Sequence, residues 1–372
     1  MKYFFELIQI AVGTRDEFSG IPTPNTWKRL YRQAQRQALL GVLFSAIEKL
    51  PAAQLPPKQI LLPWYDITEK IKKQNQILNE EAVQVGKYLE EQGMTYTLLK
   101  GQGNAMYYPH PLHRTPGDLD IWIRKWIHPD CSLFKKRREV YSWIKKTFGP
   151  LEGVSYNHVH APLSPKAEVE LHVTPSFMSA VYLNAPLQQY FLQAAEDLSD
   201  TTVDLPEGVG RIQVPTVEFN RFYVLLHIYR HFFSEGIGLR QLMDYYYILC
   251  QPSSVESRER TLCLIKQMKM ERFTGAVMFI MQRLFCLDKA LLLMQPDGKE
   301  GSFLLEEILR AGNFGLYDMR INRKAYSKRW KRFPLSVKRN LRFVRRYPHE
   351  ILCDPLFRTS FYLYRKAHRW GN

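Results

Sequence analysis

Apolar positions recur at helical spacing along most of the chain, and at alternating spacing only in its middle. Residues 1–18 start with a lysine and an apolar stretch, as a signal peptide does, but Glu6 interrupts that stretch and the segment patterns as an amphipathic helix. Residues 27–43 keep the helical period behind Asn25 and Thr26, both good N-caps, and Pro51 marks a stop. A second long helix is expected over 67–91, with Ile71, Ile77, Leu78, Val85 and Leu89 as its apolar positions and Gly93 at its end. The period then changes. Residues 95–99 pattern as a strand, Gly101-Gln102-Gly103 as a turn into a short helix at 104–108, and 119–123 as another strand. A basic helix over 132–148 stops at Gly149-Pro150. Residues 154–161 and 167–173 alternate around Pro162-Leu163-Ser164-Pro165, as a hairpin does. Beyond 175 the pattern is mostly helical again, notably at 217–233, 239–250 and the closing 357–370. No internal repeat or low-complexity tract is visible.

The alternation decides where the charged residues go. Residues i and i+2 of a strand share a face, so Asp118 and Asp120 project side by side while Leu119 and Ile121 point the other way. Glu168, Glu170 and His172 share a face on the second strand of the hairpin. Neighbouring carboxylates repel, and burying them unpaired is costly. A cation between them removes that cost. Hard divalent ions such as Mg²⁺ bind through one or two carboxylates plus substrate phosphates, and two such ions can clamp the attacking and leaving oxygens of a phosphoryl displacement.

Composition narrows the class. A chain of 372 residues with 45% hydrophobic and 13% aromatic content can build a large core over several domains. Four regions are expected: a helical 1–92, a core at 93–215, a helical 216–319 and a basic helical 320–372. No apolar run reaches the ~18–20 residues of a membrane-spanning helix. The five cysteines are dispersed, which argues against a disulfide framework or a zinc pattern and suits a reducing cytoplasm. The net charge of +16 is concentrated: from Arg320 onward sixteen Lys and Arg face only Glu350 and Asp354. There Arg323-Lys324, Lys328-Arg329, Lys331-Arg332, Lys338-Arg339, Arg342 and Arg345-Arg346 alternate with Trp330, Phe333, Leu335, Val337, Leu341 and Phe343. That segment is either solvated helices with packed apolar faces or a docking face for a polyanion.

Leu98-Leu99-Lys100-Gly101, then Arg114-Thr115-Pro116-Gly117-Asp118-Leu119-Asp120-Ile121-Trp122-Ile123, then Val169-Glu170-Leu171-His172 and Gly238-Leu239-Arg240-Gln241-Leu242-Met243-Asp244, together resemble the nucleotidyltransferases of the polymerase-β-like superfamily. The pattern is similar to a bacterial group of that superfamily with unassigned substrates, and covers roughly residues 80–250. The resemblance implies an α+β fold: a small mixed β-sheet nucleotidyltransferase core with large N- and C-terminal helical additions. It implies that Asp118, Asp120 and Glu170 are catalytic and hold Mg²⁺, two ions in all, with Glu168 a rival for the third place. It further implies that Lys100, Gly101, Gln102 and Arg114 meet the phosphates of a nucleoside triphosphate, whose nucleoside monophosphate passes to an acceptor hydroxyl or phosphate that the sequence does not identify. Gln102 stands where such enzymes usually carry Ser or Gly after the glycine. With the basic C-terminus, this motivates a second reading, a non-catalytic nucleotide- or polyanion-binding module on a degenerate transferase scaffold.

Other polar residues have plainer expectations. His227 and His231 lie one helical turn apart and read as hydrogen-bonding groups of a helical domain. His158, His160 and His172 read as hairpin residues, with His172 placed to orient Glu170. Asp244 has the i, i+4 spacing of a salt bridge to Arg240. Asp-x-Asp also serves glycosyltransferases that use nucleotide sugars, but those alternate strands and helices before the motif, where this chain has helices.

Overall fold

The computed structural model describes residues 1–125, 132–197, 201–320, 337, 340–368 and 370. Cys131, and of the basic segment Arg323, Lys324, Lys328–Arg332, Phe333, Leu335, Lys338 and Arg339, lie outside the described residues. In chain order the elements are α1 (Lys2–Ala11), α2 (Pro24–Arg36), α3 (Leu40–Ile47), α4 (Lys58–Glu91), β1 (Thr95–Leu99), α5 (Gln102–Ala105), β2 (Leu119–Lys125) and α6 (Leu133–Phe148). There follow β3 (His158–His160), β4 (Val169–His172), α7 (Val181–Asp197), β5 (Thr201–Asp204), β6 (Arg211–Val214) and α8 (Val217–Ser234). The chain continues as α9 (Leu239–Leu249), α10 (Val255–Gln267), α11 (Glu271–Phe285), α12 (Gly298–Ala311) and α13 (Pro348–Ala367). It is an α+β protein, and its strands form a four-stranded sheet and a two-stranded one. No helix among the described residues is long and apolar enough to cross a membrane.

The chain folds into two compact units, each assembled from separated stretches: residues 1–77, 104–116 and 217–318 form the first, and residues 78–103, 117–216 and 319–372 the second. The first unit is helical. Trp27 and Trp64 are fully buried and meet edge to face with centroids 6.3 Å apart. The indole Nε1 of Trp64 donates to the Leu40 carbonyl at 2.8 Å. The helix expected over 27–43 is two helices. Ala38 adopts a left-handed φ of 56° between α2 and α3, which ends one helix and redirects the chain. The N-cap of α2 is Thr23, whose side chain accepts from the Thr26 N–H; Pro24 and Asn25 fall inside the helix. The long helix α4 begins at Lys58, ahead of the expected 67, and tolerates Pro63 near its start.

The second unit holds the four-stranded sheet, in the order β1-β2-β4-β3. β1 is antiparallel to β2, β2 runs parallel to β4, and β4 is antiparallel to β3. The parallel pair requires a long crossover, which contains α6. Leu119, Ile121, Ile123, Val169 and Leu171 are all buried, and their alternation with polar residues gives the sheet one apolar and one charged face. The sequence pattern missed the hairpin β5–β6, whose strands flank Pro206-Glu207-Gly208. That hairpin fixes the turn after β1, because a Cβ on Gly103 would sit 2.8 Å from a Val214 methyl. Only glycine allows so close an approach.

Candidate active site

The charged face of the four-stranded sheet is built by register. Asp120 on β2 pairs with Leu99 on β1 and with Glu170 on β4. Glu170 pairs in turn with His160 on β3, and His172 with His158. Directly paired residues of neighbouring strands point to the same side, so β2, β3 and β4 deliver acids and imidazoles to one patch. Asp118, just before β2, adds a third carboxylate. The ligand oxygens of Asp118, Asp120 and Glu170 lie within 4.8 Å of one another.

Lys100 closes the patch from the β1 turn. Its backbone is left-handed, φ 47°, and Gly101 follows at φ 57°. A non-glycine residue in that region is strained, and the consequence is that the chain reverses at once and the lysine side chain folds back. Its Nζ lies 2.8 Å from Asp120 Oδ2. On the other side, His172 Nε2 is 3.0 Å from Asp120 Oδ1 and 3.3 Å from Glu170 Oε2. Its Nδ1 is 3.1 Å from the buried side-chain amide of Asn157.

These contacts set the charge states. Burial opposes the charge on Asp120, but Lys100 and the hydrogen bond with His172 outweigh it and hold the carboxyl well below the usual range. The Asp118 carboxyl is raised, first by the charge of Asp120 and then by burial, against the pull of Lys100. Burial also opposes the charge on Glu170, and the hydrogen bond with His172 reverses it, so its value falls. Lys100 and His172 are buried, yet their values rise, because the surrounding carboxylates overcome the burial penalty. The patch thus sets three carboxylates against one lysine and the imidazoles of His158, His160 and His172. An all-oxygen group of this kind fits a hard divalent cation.

The structure brings together Lys100, Gly101, Asp118, Asp120 and Glu170, with His172 beside Glu170, but leaves Gln102, Glu168 and Arg114 otherwise engaged. Gln102 turns its amide away, donating to Asn79 Oδ1 at 2.6 Å in a buried pair. Glu168 is largely exposed beside the His160 ring, with 3.1 Å from Oε1 to Nδ1. Arg114 belongs to the first unit. There its Nε and Nη2 donate to the two oxygens of Asp244 at 2.7 and 2.8 Å, and Tyr108 Oη donates to the same carboxylate at 2.7 Å. Asp244 therefore serves Arg114 instead of the Arg240 its spacing suggested. Arg240 Nη1 donates to the Thr115 and Pro116 carbonyls at 3.0 Å each. No local pattern could announce a pair 130 residues apart. His231 has the plain role expected, lying 3.5 Å from Glu235 one turn on. The part of His158 and His160 was missed, and the alternation of His158-Val159-His160 opposite Glu170 was the signal that could have found it.

Comparison with known proteins gives two findings. A family model described as "Uncharacterised nucleotidyltransferase" matches residues 23–286. Among solved structures, the chain is similar to an antigenic nucleotidyltransferase-like protein from Paracoccidioides brasiliensis, with 15% identity, covering 52% of this chain and 93% of that one, at a TM-score of 0.32. No curated protein sequence gives a significant match.

Proposed function

The chain belongs to the family of uncharacterised nucleotidyltransferases, and from that premise we propose that it moves a nucleoside monophosphate from a nucleoside triphosphate to an acceptor hydroxyl or phosphate, in the manner of the polymerase-β-like superfamily. An acceptor oxygen attacks the α-phosphorus and gives up its proton where it was a hydroxyl. The α–β bridging bond breaks, and pyrophosphate leaves with the electron pair. The observation that carries this reading is the gathering of Asp118, Asp120 and Glu170 on one sheet face.

Asp118, Asp120 and Glu170 would hold Mg²⁺. When bound, the ions supply charge neutralisation and alignment of the triphosphate. Lys100, held charged by Asp120 at 2.8 Å, is poised to neutralise a phosphate oxygen. The turn at Gly101 lets backbone approach the phosphates without a Cβ in the way. Glu170, ionised and supported by His172, is the base placed to receive the acceptor proton. Gln102 and Arg114 have no part in this scheme, because Gln102 is bonded to Asn79 and Arg114 is closed on Asp244. Positioning and charge neutralisation would carry most of the rate.

The test is a thermal-shift panel of ATP, GTP, CTP and UTP, with and without Mg²⁺, on wild type and Asp118→Asn. A ligand that binds the folded state alone raises the melting temperature by mass action. A metal-dependent rise with one triphosphate, absent in the variant and followed by pyrophosphate release with an acceptor, is the expected result. An equal rise in Asp118→Asn would overturn it.

A further inference from the structure

Glu170 sits between two clusters of potential metal ligands. On one side are the carboxylates of Asp118 and Asp120; on the other are the imidazoles of His158 and His172, whose ligand nitrogens lie within 4.8 Å of each other and of Glu170. The second cluster has its own geometry. His158 Nδ1 is 3.2 Å from Glu170 Oε2, and His172 Nε2 is 3.3 Å from the same oxygen. Ligands held ~2.0–2.2 Å from a tetrahedral ion are separated by roughly 3.3–3.5 Å, so both imidazole nitrogens already stand at about that distance from the shared Glu170 oxygen. The strands hold them there: His158 and His172 are direct partners across β3 and β4, and Glu170 is two residues from His172 on the same face.

We propose that His158, Glu170 and His172 form a second metal site, for a transition-metal ion of the zinc class, sharing Glu170 with the carboxylate site. The donor set makes the distinction. Imidazole suits zinc and its neighbours, whereas carboxylate oxygen suits Mg²⁺. Two imidazoles and one carboxylate leave a fourth position open, as zinc sites that carry out chemistry do.

The surroundings supply the rest of the site. A ligating imidazole keeps its proton on the other nitrogen and gives it to a fixed acceptor. In His172 that nitrogen is Nδ1, which faces the Asn157 side-chain amide at 3.1 Å. A half-turn of that amide presents its oxygen, so Nδ1–H can donate while Nε2 turns its lone pair to the ion. Asn157 is fully buried, and its main-chain carbonyl accepts from the Val173 N–H at 2.8 Å, which fixes its place beside β4. His160 Nε2 lies 3.4 Å from Glu170 Oε1, the carboxylate oxygen that the two ligating imidazoles leave free.

The site is new to the transferase reading and shares one residue with it, so the experiment separates the two. Full-length protein is stripped with a chelator and titrated with Zn²⁺ in competition with a chromophoric chelator, in excess Mg²⁺ and without nucleotide. Wild type is expected to take up one Zn²⁺ that Mg²⁺ does not displace. His158→Ala should weaken that binding by at least about 100-fold, with its melting temperature reported alongside. Asp118→Asn should keep Zn²⁺ affinity within a few-fold while losing the Mg²⁺-dependent triphosphate shift. Nitrogen-15 NMR of labelled histidine in the unmodified protein reads ligation without any substitution, through Zn²⁺-induced shifts of His158 Nδ1 and His172 Nε2. Absence of a bound equivalent, unchanged affinity in His158→Ala, unmoved imidazole resonances, or a loss in Asp118→Asn as large as in His158→Ala would each overturn the proposal. Absence of any Mg²⁺-dependent triphosphate shift in the wild type, with Zn²⁺ binding retained, counts against the transferase reading alone.

Discussion

The two units bury carboxylates in opposite ways. In the first, Asp244 is matched: a bidentate guanidinium and a phenol take up its oxygens, and every charge has its counter-charge. In the second, Asp118, Asp120 and Glu170 crowd together with Lys100 and His172, and the Asp118 carboxyl is raised by its neighbour's charge. A closed ion pair has nothing left to offer a ligand, whereas an unbalanced patch is stabilised by binding a cation. Glu350 on α13 shows a third solution. It is buried and accepts from the Ser179 N–H at 3.0 and 3.2 Å, with no cation among its hydrogen-bond donors in the described residues. Burial pushes its carboxyl up to about 7.

Breaking the closed pair has the largest expected cost. Asp244→Ala strands the Arg114 charge in a buried site and should destabilise the fold by roughly 3–5 kcal/mol in urea unfolding. The double variant Arg114→Met, Asp244→Leu should recover much of that loss, and a double variant as unstable as the single would show that the charges do more than satisfy each other.

Glu350 comes next. An acid whose native value lies above its unfolded one binds its proton more tightly when folded. Its contribution is therefore complete below about 4.5 and is lost as pH rises through about 7. That loss is on the order of 3 kcal/mol. Glu350→Gln should flatten the stability profile of α13 between these limits in hydrogen exchange, and an unchanged slope would place the titration elsewhere.

A smaller effect tests the turn beside the patch. Gln102→Ala leaves the Asn79 side chain without this buried partner and should cost about 1–3 kcal/mol in stability, with triphosphate binding largely retained; loss of binding at full stability would return Gln102 to the site.

The smallest effect has the opposite sign. Asp118→Asn removes one of the repelling carboxylates and should stabilise the metal-free protein, by up to about 1–2 kcal/mol, while losing its Mg²⁺-dependent shift. A destabilisation like that of Asp244→Ala would erase the contrast between matched and unbalanced clusters.

Much of the second unit's sheet was legible along the chain. β1 matches the expected 95–99, and the alternation at 118–121 and 168–173 assigned the acids to one face, because strand periodicity is a local property. The family pattern rests on these same segments. The breaks and joins were less legible. Ala38 ends a helix through a backbone angle that its side chain does not advertise. The hairpin β5–β6 is short and half-exposed, so its apolar signal is weak.

The sequence by itself determined which residues carry chemistry: the Asp-x-Asp pair, the Glu-x-His strand and the lysine–glycine turn, each set by spacing within a few residues. Only the tertiary structure decided their company. Strand register brought His158 and His172 to Glu170, and helix packing gave Arg114 to Asp244 instead of to a phosphate. It also assembled each unit from stretches far apart in the chain. Periodicity is fixed by neighbours on the backbone, but partners for buried charge are chosen in space, where desolvation makes an unmatched group costly whatever its distance in sequence.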